Sequence, residues 1–258
     1  MKPIVKKIWK SILPKSTWRK ILSASTQLVD SDELAKKGFN SMWWSIDNLK
    51  TLGFEPKTIV DVGAYKGEWT KQVKAIFDDS KFLMIEAQPD RATDLQKVES
   101  SHQNIFYEQM LAGPTDGEEK VFTVMKTGSS VFEENFDKNS NRKKITLISN
   151  TLDTILNKKE LQGEYFLKMD VQGYELEVLK GAKNMLNDTP VILLESSLLN
   201  YNEGAPLIGE IFDFFNKQGY VLFDICEFHR KGEDGVLNQV DLLFCKKDWT
   251  IRKKVNFK

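Results

Sequence analysis

From residue 58 onward, short apolar runs alternate with helical stretches, and this alternation limits the fold more than any other feature. The runs are 58–63 (TIVDVG), 81–87 (KFLMIEA), 104–111 (NIFYEQML), 165–171 (YFLKMDV) and 191–196 (VILLES). Helical spacing of apolar residues follows at 67–77, 89–99, 174–186 and 207–218. Strand, helix, parallel strand is the unit this predicts, with helices on both faces of the sheet. Residues 220–229 and 240–246 read as two strands of a terminal hairpin around Gly232 and Gly235. The expected fold class is therefore α/β: a seven-stranded, mostly parallel, doubly wound sheet with an antiparallel terminal hairpin. An extra strand is expected at 121–125, a long polar loop at 126–144 and a short helix at 151–156. Ahead of the sheet, Asn40 or Ser41 is placed to cap a helix carrying Met42, Trp43, Ile46 and Leu49. Gly53 would end it, with Pro56 beyond.

Composition narrows the partners. With 41% apolar and 29% charged residues the chain is globular. Its 37 bases and 37 acids cancel, yet seven bases precede the first acid, Asp30. Six bases and one acid lie between Lys246 and Lys258, so the section between carries an acid excess. A core of that sign does not suit nucleic acid, and no nucleic-acid partner is expected. Residues 1–22 set Ile4, Val5, Ile8, Trp9 and Ile12 against Lys6, Lys7 and Lys10. They read either as a peripheral membrane contact or as a helix packed over the site. No apolar run reaches the ~18 residues of a membrane span, and the basic start lacks a secretory core. The expected compartment is the cytoplasm, with the inner face of the membrane as the alternative. Cys226 and Cys245 are nearly symmetric about Gly235 and read as cross-strand neighbours, both buried thiols. Two cysteines without CxxC spacing and two histidines, His102 and His229, exclude a Cys or His metal cluster.

In doubly wound sheets ligands bind beyond the C-terminal ends of the strands. The first run ends in Asp61-Val62-Gly63-Ala64-Tyr65-Lys66-Gly67. This is not a G-x-G-x-x-G pyrophosphate loop. It suits a ligand with an amine and a carboxylate, and the helix start offers free N–H groups. The second run ends in Glu86, whose carboxylate can accept two hydrogen bonds from a ribose diol. The fourth and fifth end near Asp170 and Glu195, which would face one crevice. Glu175 falls in the first turn of the next helix, where the helix dipole favours a negative charge.

The segments DVGAYKG, IEAQPD, LDTIL, FLKMDVQGYELEVLKGA, VILLES and QVDLLF resemble the FkbM family of S-adenosylmethionine-dependent methyltransferases. The resemblance spans roughly 55–247. It implies a Rossmann-like class I methyltransferase fold and S-adenosylmethionine as cofactor. It divides the chain into a basic helical extension, 1–54, and a catalytic domain, 55–258, with 113–150 as a substrate loop. It matches Asp61, Gly63, Ala64, Tyr65 and Gly67 to the loop around the methionine moiety and Glu86 to the acid on the ribose, with Ala87 as a further cofactor contact. Gln109, Met110 and Leu111 then fall beside the adenine, and Asp170 on the acid of the family's K-x-D-x-E-G motif. Tyr65 stands where Gly or Asn is usual, and Gln172 where Glu is frequent.

The expected reaction is O-methylation of a sugar, polysaccharide or glycolipid hydroxyl. The alternatives are N-methylation, a small natural-product acceptor, or an inactive membrane-surface or cofactor-binding module. A hydroxyl needs a base. Asp170 is the first candidate, His229 the second, while Glu195 completes the acidic set and His102 sits at the wrong edge. Asp170 and Glu195 are also candidate ligands for Mg2+. Ser129, Ser130, Tyr201 and Asn202 are the expected acceptor contacts.

Overall fold

A computed structural model describes residues 41–125, 129–132, 142–200, 202–231 and 235–254. The amphipathic segment 1–22, most of the polar stretch 126–141 and Tyr201 lie outside the described residues.

Helix α1 (Met42–Thr51) begins after Ser41 and buries Ile46 and Leu49. Strand β1 (Thr58–Val62) is buried along its whole length, as a central parallel strand must be. Helix α2 (Glu68–Ile76), β2 (Lys81–Glu86), a 3-10 turn and α3 (Ala92–Ser100), then β3 (Ile105–Gln109) complete the first half. The second half holds β7 (Tyr165–Met169), α5 (Glu175–Lys180), β8 (Val191–Ser197), α6 (Ile208–Lys217), β9 (Tyr220–Lys231) and β10 (Val236–Lys246). These strands form one sheet in the order β3-β2-β1-β7-β8-β10-β9. All pairings are parallel except those of β10 with β8 and β9. The expected seven-stranded sheet with its terminal hairpin is thus observed.

Between the halves lie β4 (Leu111–Ala112), β5 (Glu119–Val124), β6 (Lys143–Asn150) and α4 (Leu152–Lys158). Strands β4, β6 and β5 make a second sheet, with β6 in the middle. Three sequence expectations are corrected here. The polar stretch 126–144 gives way to a strand at its end, and the run 104–111 splits, its last residue, Leu111, serving the second sheet. Helix 174–186 is also shorter than its spacing predicts, because α5 stops at Lys180 and a 3-10 turn, Met185–Asp188, follows. The Asp153 carboxylate accepts hydrogen bonds from Asn184 N and Met185 N and fixes that break.

Two apolar clusters fill the core. One gathers Val60, Leu83, Leu167, Ile192 and Phe215. The other gathers Ile46, Leu49, Phe54, Ile59, Phe82 and Trp249, so the described part of 1–54 packs into the core. Phe54, just after α1, meets Trp249, just after β10, edge to face at 5.2 Å. Ser45 Oγ donates to Asp224 Oδ2 at 2.7 Å and pins α1 to β9. The expected cross-strand pairing of Cys226 and Cys245 fails, while their expected burial as thiols is observed. Cys245 lies opposite Val221, because the pairing of Val236 with Lys231 centres the hairpin ahead of Gly235. Both thiols are buried and free.

Candidate active site

The chain runs outward from β1 to β3 on one side and from β7 onward on the other, so β1 and β7 flank the switch point. Their loops touch backbone to backbone. Gly63 has φ +78°, and a Cβ there would sit 2.0 Å from the Asp170 carbonyl oxygen. Asp170 N donates to Val62 O at 3.0 Å. Only glycine allows this approach in this conformation. Beneath the loop, Asp61 is buried and accepts from Thr70 Oγ1 at 2.7 Å and Lys168 Nζ at 2.9 Å. Lys168 Nζ also reaches Gly63 O at 3.3 Å. Asp61 therefore holds β1, α2 and β7 together and does not line the cleft. Ala64 is buried below the surface of the loop, and Gly67 sits over Met84, Leu95 and Val98 at the start of α2.

Above the switch point is a first cleft. Gly63, Tyr65, Glu86, Ala87, Met110, Leu111 and Asp170 all line it, whereas Gln109 does not. Glu86 Oε2 accepts from Tyr65 N at 2.7 Å and Oε1 from Gln88 N at 2.8 Å. Each oxygen keeps a lone pair for a ligand hydroxyl. Burial raises the Glu86 pKa, and the two backbone N–H groups oppose that rise. Tyr65 adopts φ 50°, and the Arg91 guanidinium covers its ring at 4.5 Å. Tyr65 and Gln172 are two of the three non-glycine residues with positive φ among the described residues, and both line this cleft. Backbone held in such regions clusters at sites of function. Sequence reasoning missed Gln88, Phe122 and Val131 on the walls. Gln88 follows Glu86 by two residues and was within reach of the strand-end rule. The other two come from the second sheet and its following loop.

A second cleft opens between α1, α2 and the far half of the sheet, and Asp170 lies on its wall as well. Gln172 Nε2 donates to Asp170 Oδ1 and to Glu195 Oε2, both at 2.8 Å. Gln239 Nε2 adds a second bond to Glu195 Oε2 at 2.6 Å. Burial, and then the charge of Asp170, push the Glu195 pKa up to about 8. The two carboxylates expected to hold Mg2+ are thus joined by an amide, which occupies the place of a cation between them. Among the described residues the set that could hold a metal is instead Glu227, His229 and Asp241. His229 Nε2 lies 2.7 Å from Asp241 Oδ2, and that hydrogen bond raises its pKa to about 9.

Gln172 O accepts from Ser130 Oγ at 3.0 Å and Asn202 Nδ2 at 2.7 Å. Ser130 and Asn202, expected to touch an acceptor, therefore hold the Gln172 turn. Ser129 lines the first cleft and donates to Met125 O at 3.0 Å. Glu175 is buried, and its Oε1 accepts from Val171 N and Gly173 N, each at 3.2 Å. It fastens the same turn, and burial raises its pKa to about 7. His102 bonds Val98 O at the end of α3, away from both clefts.

Comparison with solved structures gives several weak likenesses. A crystal structure of an FkbM methyltransferase from Methylobacillus flagellatus KT aligns with TM-score 0.44 at 18% identity, covering 72% of this chain and 43% of its own. Aeropyrum pernix fibrillarin, solved with natively bound S-adenosyl-L-methionine, aligns with TM-score 0.44 at 16% identity over 77% of this chain and 73% of its own. TehB from Haemophilus influenzae gives TM-score 0.43 at 10% identity over 79% and 62%. The chain thus spans less than half the length of the first of these. No curated protein matches. A protein-family model described as the Methyltransferase FkbM domain matches residues 61–222, which take in the end of β1, both cleft loops and the start of β9. By that match over more than half its length, the chain belongs to the FkbM methyltransferase domain family.

Proposed function

We propose that the chain uses S-adenosylmethionine to methylate a hydroxyl oxygen of a sugar, polysaccharide or glycolipid. The observation that carries this reading is the position of Asp170 on the wall shared by two clefts of different character. The first has a carboxylate at a strand end beside apolar walls. That set fits an adenosine: Glu86 for the ribose diol, and Ala87, Met110 and Leu111 for the base. When bound, the cofactor supplies an electrophilic methyl group on a sulfonium.

The second cleft offers Trp43 and Trp69 beside Glu68, Glu195, Glu227 and Asp241. Aromatic faces with acceptor oxygens suit a ring that carries several hydroxyls. Asp170 stands between the clefts. Its Oδ1 is held by Gln172, and Oδ2 has no hydrogen-bond partner among the described residues. A hydroxyl seated there gives its proton to Asp170 as the oxygen attacks, and alignment of the two clefts supplies the remaining rate. The acidity of the second cleft would also draw an amine, so N-methylation is the second reading.

The test is turnover with an isotope-labelled methyl donor and a panel of saccharides and amines, with the product read by NMR. Methoxy signals support the proposal. Label found only on nitrogen moves the reading to the second. No stabilisation by saturating S-adenosylmethionine in a thermal melt would leave a binding module without this cofactor.

A further inference from the structure

We infer that Glu227, His229 and Asp241 form a divalent-cation site in the second cleft, beneath α1 and α2. One ligand atom from each residue lies within 4.8 Å of the others. Ligands at ~2.0–2.2 Å from a common ion stand at separations approaching this, so small side-chain adjustments complete the set. The β register explains why these residues meet. Asp241 on β10 faces Glu195 on β8 and Glu227 on β9, which sets three carboxylates abreast on one face. Lys168 on the same wall is committed to Asp61. A cation that takes His229 Nε2 displaces its proton and stands in for it between the imidazole and the Asp241 carboxylate.

A separate observation in the same cleft points to a ligand. Trp69 Nε1 is out of water and has no hydrogen-bond partner among the described residues, although indole N–H groups that leave water find acceptors. A water or hydroxyl on the cation would supply an oxygen in this cleft. One imidazole nitrogen with two carboxylates favours Mn2+ or Zn2+ over Ca2+, and leaves coordination positions open. Any catalytic use rests on the function proposed above: an acceptor hydroxyl on the ion would lose its proton to Asp170 more readily.

The test is a titration of the full chain, freed of metal by chelation, with Mn2+ in the absence of methyl donor, with free Mn2+ read by electron paramagnetic resonance. One ion per chain is expected. His229→Ala and Asp241→Asn should each weaken binding at least about ten-fold. Asp170→Asn should leave it unchanged, which separates this site from an Asp170–Glu195 pair. If a thermal melt shows that His229→Ala does not fold, Glu227→Gln on the half-buried rim serves in its place. No binding of Mn2+ or Zn2+ at millimolar concentration overturns the site, and so does binding that survives the variants. Binding of the ion without methyl transfer would leave the site standing and remove only the proposed activity.

Discussion

Gly63 tolerates no side chain. An added Cβ would lie 2.0 Å from the Asp170 carbonyl oxygen, in a left-handed conformation as well. Gly63→Ala should lower stability by about 3 kcal/mol or more in equilibrium denaturation, and should weaken cofactor binding with it. Gln172 gives a sharper test of the site. Its amide bonds both Asp170 and Glu195, and its carbonyl receives Ser130 and Asn202. Gln172→Leu removes the first pair of bonds and keeps the second. It should cut kcat on the order of 100-fold while leaving the cofactor Kd nearly unchanged, measured by steady-state kinetics beside calorimetry. Asp61, Glu86, Asp170 and Glu195 were legible in the sequence, because strand alternation fixes which residues end strands. The split of their roles was not. Asp61 points into a buried ion pair with Lys168, and only the pairing of β1 with β7 shows it. Asp241 was missed for a similar reason. It lies within a long apolar strand, and its neighbours Glu195 and Glu227 appear only through the register.

The turn between β7 and α5 is set by Glu175 at the first position of its helix. A carboxylate there was expected to serve the helix dipole. It is instead buried, accepts hydrogen bonds from two amides of the preceding turn, and has its pKa raised to about 7. The sign of the pH effect follows. The unfolded chain gives up this proton near 4.5, the folded chain only near 7. Stability contributed by Glu175 therefore falls as pH rises between those values. Glu175→Gln keeps an acceptor and has no proton to lose, so denaturation midpoints should depend less on pH between 4.5 and 7 in this variant than in the parent. The strand β6 was not legible for a different reason. Only Ser149 along it is buried, so its segment lacks the apolar run that marks a central strand. The inner strands β1, β2, β7 and β8 of the main sheet, by contrast, are buried along nearly their whole length and announce themselves by composition.

Over the whole molecule, the neutral charge total conceals an acidic middle section. Part of that excess is gathered in one cleft, where Asp170, Glu195, Glu227 and Asp241 share a wall with His229. The histidine is held charged by Asp241, with its pKa raised from 6.5 to about 9. A base with a raised pKa stabilises the fold fully below 6.5 and loses that contribution as pH rises through about 9. Stability should therefore decline on the alkaline side, and His229→Gln should flatten that decline in thermal melts taken across the range. The account as a whole rests on the first cleft holding an adenosine through Glu86. Calorimetric titration of the full chain with S-adenosylmethionine, beside the Glu86→Ala variant, tests this most directly. One molecule bound per chain, with affinity at least about ten-fold weaker in the variant, is the expected result. No binding to the parent, or equal binding to both, would contradict it.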